Sequence, residues 1–283
     1  MAYPSFQNTD DNSELYAPLV VAAQYAAYEQ SVARQLVTVF DAPMNTGKSL
    51  QVPVWSSIAA EIITDESTST NSTTGTTSAS IDLAEIVVYR KISDMLRDSS
   101  YSNVLASLGD NAGRAIAEAM DTQAFAKFAN LSGSATAIAV ASFSKDDIMD
   151  RVATLRTNKL VGPFVAVLHP QVANKLKKTL TATDSYTASG MTADNILQNY
   201  FITQFAGCRV IESSLVPYNS GTGVATCAVF APSALGHAMR GAIGLETQRN
   251  VKDRATEMSV KAVAGAAVLQ ASHGIIMNVD LVA

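Results

Sequence analysis

Cysteine is almost missing from this chain: its 283 residues include two, Cys208 and Cys227, each inside an apolar run, "GCRVI" and "ATCAVFA". No CxxC spacing occurs, which removes a zinc ribbon and a dithiol redox pair. Both thiols read as small buried hydrophobes of a reduced, cytosolic protein. Aromatic residues make up only 7% and charged residues only 16%. Basic residues are nowhere interleaved with aromatics, so a groove for single-stranded nucleic acid is not indicated. The formal net charge of −5 provides no overall field to attract nucleic acid, which leaves only a local basic patch to do so. The start, "MAYPSFQNTDDNSE", has neither a basic segment nor an apolar core and does not read as a signal peptide. The longest uncharged run, 262–279, carries Gln270, Ser272, His273 and Asn278, so no membrane-spanning segment is expected.

Catalytic signatures are equally scarce. The three histidines, His169, His237 and His273, have no His or acidic residue at metal-ligand spacing, and no GxSxG elbow occurs. His169 follows an apolar run and precedes a proline, which suits a turn better than a base. Asp146, Asp147 and Asp150 read as the acidic start of a helix, where they favour the macrodipole; a magnesium cluster is the other reading of the same three. Catalytic, cofactor-binding and metal sites are all expected to be none.

One stretch invites an enzyme. In "DAPMNTGKSLQVPVW", residues 41–55, Gly47-Lys48-Ser49 matches the end of a phosphate-binding loop. The first glycine of that loop should fall at Ala42, and Pro43 removes a backbone N–H that would face phosphate. The following "LQVPVW" alternates like a strand, so no helix N-terminus is there to hold an anion. "NTG" therefore reads as a turn and Lys48 as a solvated entry to a strand.

What remains is hydrophobic and small-grained. The hydrophobic share is 48%, rich in alanine, enough for a core of closely packed small residues. Residues 1–13 are polar and aperiodic, a free arm or one that orders only on a partner. Val21, Tyr25, Tyr28, Val32 and Leu36 form one stripe of an amphipathic helix. Residues 64–80 are the low-complexity segment: twelve of the seventeen are Ser or Thr, which cannot bury apolar area. Strand patterns flank them on both sides, "SLQVPVW" and "SIAAEIIT" before and "SASIDLAEIVVYRKI" after, predicting a long hairpin with a polar tip. Such a ribbon is marginal alone and asks for a neighbour to lie on.

From residue 102 to about 130 the period turns helical. Leu105, Leu108, Ala112, Ala115, Ile116, Ala119 and Met120 line one face, and Gly109 and Gly113 admit close backbone approach or mark a break. "SGSATAIAVASFS" reads as loop and strand. Ser144 with Asp147 predicts a capped helix carrying Ile148, Val152 and Leu155 and ending near Asn158. "GPFVAVLHP" reads as a buried strand. Pro170 opens a helix with Val172, Leu176 and Leu180 inside and Lys175, Lys177 and Lys178 outside. Residues 181–195 form an excursion, "CRVIESSLVP" and "ATCAVFAP" are strands, and Pro232 opens a short helix, "PSALGHAM". From residue 244 strand-like patches surround the charged stretch "QRNVKDRATEMSVK", within which "RNVKDRATEM" is a solvated or inter-chain ion-pair face, before the closing strand "HGIIMNVDLV".

This order of parts resembles the major capsid proteins of tailed bacteriophages of the Hong Kong 97 type. "VLASLGDNAGRAIAEAMDTQAFAKF" is similar to the family's spine helix. "FSKDDIMDRVATLRTN" with "GPFVAVLHPQVANKL" is similar to the opening of its axial domain, and the segment from "GCRVIESSLVP" to the end resembles its later strands. The resemblance implies an α+β fold: N-terminal arm and helix (1–44), extension-loop hairpin (45–92), peripheral domain with the spine helix (93–144), α/β axial domain (145–240) and return strands of the peripheral domain (241–283). It implies a structural virion protein, not an enzyme, assembling in the host cytoplasm with itself as hexamers and pentamers into an icosahedral capsid. That shell would enclose double-stranded DNA without sequence-specific binding, served by a separate scaffolding protein, a portal and a cement protein, with no membrane. Two alternatives stay open: an encapsulin-type protein compartment of the same fold, and an α/β nucleotide-binding enzyme. Some family members cross-link subunits through a lysine near the extension-loop tip. No lysine lies between Lys48 and Lys91, so that bond is not expected.

Overall fold

The structure, a computed structural model, describes residues 31–45, 47–55, 60, 75–99, 104–134, 136–181, 204–205 and 207–282. The arm and most of its expected helix, the strand "SIAAEIIT" apart from residue 60, residues 64–74 of the hairpin tip and residues 182–195 of the excursion lie outside the described residues, while residues 76–80, expected in the tip, belong to a strand.

Two sheets organise the chain. The first is four-stranded. A short helix α1 (Ala33–Leu36) leads into β1 (Thr38–Asp41). β1 pairs in parallel with β11 (Leu235–Asn250), β11 pairs antiparallel with β12 (Ala255–Val268), and β12 pairs antiparallel with β4 (Ala84–Ser93). Against this sheet lies α3 (Val104–Phe125), extended by a 3-10 turn, Ala126–Asn130. Ala112, Ile116 and Met120 of α3 meet Ile92, Met239, Ile243, Met258, Val260, Ala262 and Ala264 of the strands in one core. The helix ends at Phe125, short of the expected residue 130, because the last turn tightens. Ala115, expected on the buried face, is exposed; Ala117 and Ala124 are buried instead. The real stripe therefore sits a few tens of degrees round from the expected one.

The second sheet runs β5 (Ile138–Ala139), β13 (Gly274–Asp280), β10 (Val224–Phe230), β6 (Phe164–Leu168), β8 (Cys208–Glu212) and β7 (Gln204–Phe205), with β9 (Tyr218–Asn219) paired to β10. All five residues of β6 are buried, as its unbroken apolar run requires of a central strand. The sheet's core takes in α4 (Lys145–Thr157) through Ile148, Val152 and Leu155, and α5 (Pro170–Thr181) through Val172, Leu176 and Leu180. α4 starts as its sequence dictates. The Ser144 hydroxyl accepts from the Asp146 amide at 3.2 Å, and the Asp147 carboxylate accepts from the Ser144 amide at 2.9 Å.

Three expectations fail for one reason, that tertiary pairing overrides local pattern. Pro232 opens only a 3-10 turn, Pro232–Ala234, and the residues expected to continue a helix enter β11, where β1 and β12 hydrogen-bond on either side. The pattern "SASIDLAEIVVYRKI" is two strands: β3 (Thr76–Asp82) leaves with the hairpin, and β4 turns into the four-stranded sheet at Leu83. The segment 241–283 is shared, since β12 stays in the first sheet while β13 joins the second beside β10. A fourth is electrostatic. Lys177, expected outside, is buried, and its ammonium reaches Glu212 of β8 at 2.6 Å.

Candidate assembly surfaces

The most prominent surface is a ribbon. β2 (Ser49–Trp55) pairs antiparallel with β3 in register Leu50 with Ile81 and Trp55 with Thr76. Of the fourteen residues in its two strands, only Ile81 is buried. The ribbon's root is fixed by close backbone contact. Leu83 donates to the Lys48 carbonyl at 2.8 Å, and Arg240 donates to the Gly47 carbonyl at 2.5 Å. Ile81 sits over Gly236 and beside Leu269, while Gly265 leaves room for the Asp82 carbonyl; a side chain at residue 265 would overlap it. Further out the ribbon stands off the body. A cleft of about 570 Å³ separates Val54, Trp55 and Thr77 from Asn158, Leu269, Gln270, Ser272 and His273. Trp55, 65% exposed, is left presenting its ring to solvent.

The beginning of the described chain is latched. The Asp121 carboxylate, buried on α3, accepts the Ser31 hydroxyl at 2.7 Å and the Val32 and Ala33 amides at 2.9 and 3.0 Å. These are the orphan donors at the start of α1, whose N-cap has no side-chain bond of its own. Burial raises the Asp121 pKa, and the three hydrogen bonds only partly offset that.

A third surface is the tip where β11 turns into β12. Arg249 grips Asp94 through both terminal guanidinium nitrogens at 2.5 and 2.6 Å, and Lys91 pairs with Asp253. Asn250 donates to Asp253 at 3.0 Å and to Glu257 at 2.9 Å. These bonds tie the turn to α2 (Asp94–Ser99) and β4 and hold Met95 and Val251 out, 81% and 76% exposed. The charges of "QRNVKDRATEM" are thus spent largely within the chain, fixing the shape of an apolar corner. Exposed pairs add little stability and are screened by salt.

The residues considered for chemistry are scattered. Lys48 is exposed, Gly47 has φ +70°, and the strand β2 follows at once, so the "TGKS" turn lacks a helix N-terminus. Asp146 and Asp147 serve the helix cap, and among the described residues no group of three His, Cys, Asp or Glu could hold a metal ion. His169 stacks on Tyr218, with ring centroids 5.8 Å apart, and its Nδ1 accepts from the Gln171 amide at 3.4 Å: a turn residue. His273 meets the Ser233 hydroxyl at 2.8 Å. His237 is 1% exposed in β11. Burial pushes the Cys208 thiol up to about 11 and Cys227 up to about 12, which keeps both protonated and unreactive. Among the described residues, no helix is long and apolar enough to cross a membrane.

A protein-family model described as a phage capsid protein matches residues 81–277. Among solved structures, the capsid of cyanophage P-SCSP1u superposes with a TM-score of 0.68 at 17% identity, covering 87% of this chain and 86% of that one. A chain from Mycobacterium phage Che8 gives 0.62 at 16% identity, over 82% and 85% of the two chains. The virus-like particle from Pyrococcus furiosus gives 0.61 at 14% identity, over 93% and 99%. No curated protein matches in sequence. At these identities the likeness in structure is a likeness of fold, the α+β capsid fold that the order of parts implies.

Proposed function

The chain belongs to the phage capsid protein family, and we propose that its copies assemble as hexamers and pentamers into an icosahedral shell around double-stranded DNA. The observation that carries this reading is the β2–β3 ribbon with a single buried side chain among fourteen. A two-stranded ribbon is marginal in water without a surface to cover it. Its root is built stiffly, through Gly265 and Ile81, while its outer end stands off across a cleft. Stiff attachment with exposed faces suits a part whose burial comes from a sister subunit.

In this reading residues 1–44 are the arm, 45–92 the extension loop with its last strand serving as sheet edge, 93–144 the peripheral domain with the spine helix α3 and 145–240 the axial domain, while 241–283 return to both sheets, β12 to the first and β13 to the second. The subunit works by burial and is not an enzyme. It encloses DNA without reading sequence, and its net negative charge keeps packaged DNA from sticking. A separate scaffolding protein, a portal and a cement protein complete the particle, which forms in the host cytoplasm.

Electron microscopy of native particles, with extraction of their contents, tests this. Closed shells with five-fold vertices that yield nuclease-protected double-stranded DNA are expected. Shells filled with a protein cargo and free of DNA would favour a protein compartment instead, and the absence of any shell would refute both.

A further inference from the structure

We propose that His237 is an acid-operated release for β1: protonating its imidazole ejects residues 38–41 from the edge of the four-stranded sheet. The proposal concerns the single subunit and stands whether or not copies form a shell.

His237 lies in β11, aligned with Val39 of β1 on one side and Ala266 of β12 on the other. It is 1% exposed, and among the described residues neither ring nitrogen has a hydrogen-bond partner. A buried polar ring without partners is costly when neutral and far costlier when charged. The groups around it offer no relief. From α1 comes Arg34, whose positive charge opposes a second one. From α3, the Asp121 carboxylate is committed to Ser31, Val32 and Ala33. The facing stretch of β12, Gly265 to Ala267, is uncharged, and Asp41 at the end of β1 is exposed. Burial and then Arg34 push the His237 pKa down to about 4.

The element beside His237 that yields most readily is β1. It has four residues and pairs, among the described residues, with β11 alone. Its other ties are the Thr38 hydroxyl to the Pro232 carbonyl at 3.0 Å and the following Ala42 amide to the Met239 carbonyl at 2.9 Å. None of its residues is fully buried. Opening this short edge strand admits water to His237 while leaving β11, β12 and β4 paired, a local opening of the low-stability kind.

The direction follows from linkage. Docked His237 has a depressed pKa and undocked His237 an ordinary one near 6.5. Docking is therefore full above pH 6.5 and weakens as pH falls towards 4, by a factor on the order of 10² over that window. Asp121 is raised by burial, whereas its bonds to Ser31, Val32 and Ala33 favour the charged carboxylate; Val37 ends α1 between that contact and β1.

Hydrogen exchange on the full-length protein between pH 7.5 and 4.5, corrected for intrinsic rates, tests this. The peptide covering 38–42 should lose at least tenfold protection, while that covering β6 keeps its own. In His237→Phe, and independently in His237→Gln should the first fold poorly, the 38–42 protection should not change with pH. Protection retained by the wild type at pH 4.5, the same loss in a variant that cannot titrate, or a loss shared with β6 would each overturn the proposal.

Discussion

The Asp121 carboxylate holds the Ser31 hydroxyl at 2.7 Å across ninety positions of sequence, and through the same oxygens it caps the first turn of α1. One side chain on the spine helix thus decides where the N-terminal segment leaves the body. Asp121→Asn turns one acceptor oxygen into a donor facing backbone N–H groups. It should cost about 2–3 kcal/mol in urea unfolding, against about 1 kcal/mol for Ser31→Ala, which removes one hydroxyl. Trypsin cleavage at Arg34 should accelerate in Asp121→Asn. Equal stability and unchanged cleavage would mean that the latch does not hold the segment. Because the carboxyl is raised by burial, its contribution grows as pH falls and is lost as pH rises through its docked pKa.

Gly265 controls the root of the ribbon. Its missing side chain is the space that the Asp82 carbonyl occupies. Gly265→Ala should cost about 1–3 kcal/mol by overpacking and loosen the ribbon rather than unfold the second sheet. Trp55 is the only tryptophan and sits in β2, so its fluorescence anisotropy should fall in the variant. Unchanged anisotropy with unchanged stability would contradict the close approach.

Lys177 and Glu212 join α5 to β8 at 2.6 Å with the lysine buried. Removing the carboxylate in Glu212→Ala strands the buried ammonium and should cost about 3 kcal/mol, whereas Lys177→Met keeps the stem's packing and should cost less. Thermal unfolding of the two variants checks the order. A more stable Glu212→Ala would show that the pair contributes nothing.

No lysine lies between Lys48 and Lys91. Particles boiled in detergent should therefore run as one monomer band on a denaturing gel. A ladder of covalent oligomers would reveal a cross-link formed elsewhere.

How much of this could be read in the sequence depends on how local the cause is. The Ser144–Asp147 cap lies within four residues, and the burial of β6 is written in "FVAVL", so both were legible. The turn at Lys48 was legible because Pro43 and the alternation after it exclude a phosphate loop. Lys177 was not, because its partner lies on β8, 35 residues later, and helical spacing alone puts it outside. The start of β11 was hidden for the same reason: "PSALGHAM" has helical spacing, and only the strands on either side settle it. Asp121 stood in a recognised stretch of the spine helix, yet its role needed Ser31, ninety residues away. His237 looked like an idle histidine until its burial and its neighbour Arg34 were known.

The most direct measurement is sedimentation with electron microscopy of the purified chain, side by side with a variant lacking residues 64–80. The wild type should form closed shells, and the shortened chain should fold with the same circular dichroism but form weaker shells or none. A wild type that stays a stable monomer at high concentration, or a shortened chain whose shells are equally stable, would contradict the claim that the ribbon finds its burial on sister copies.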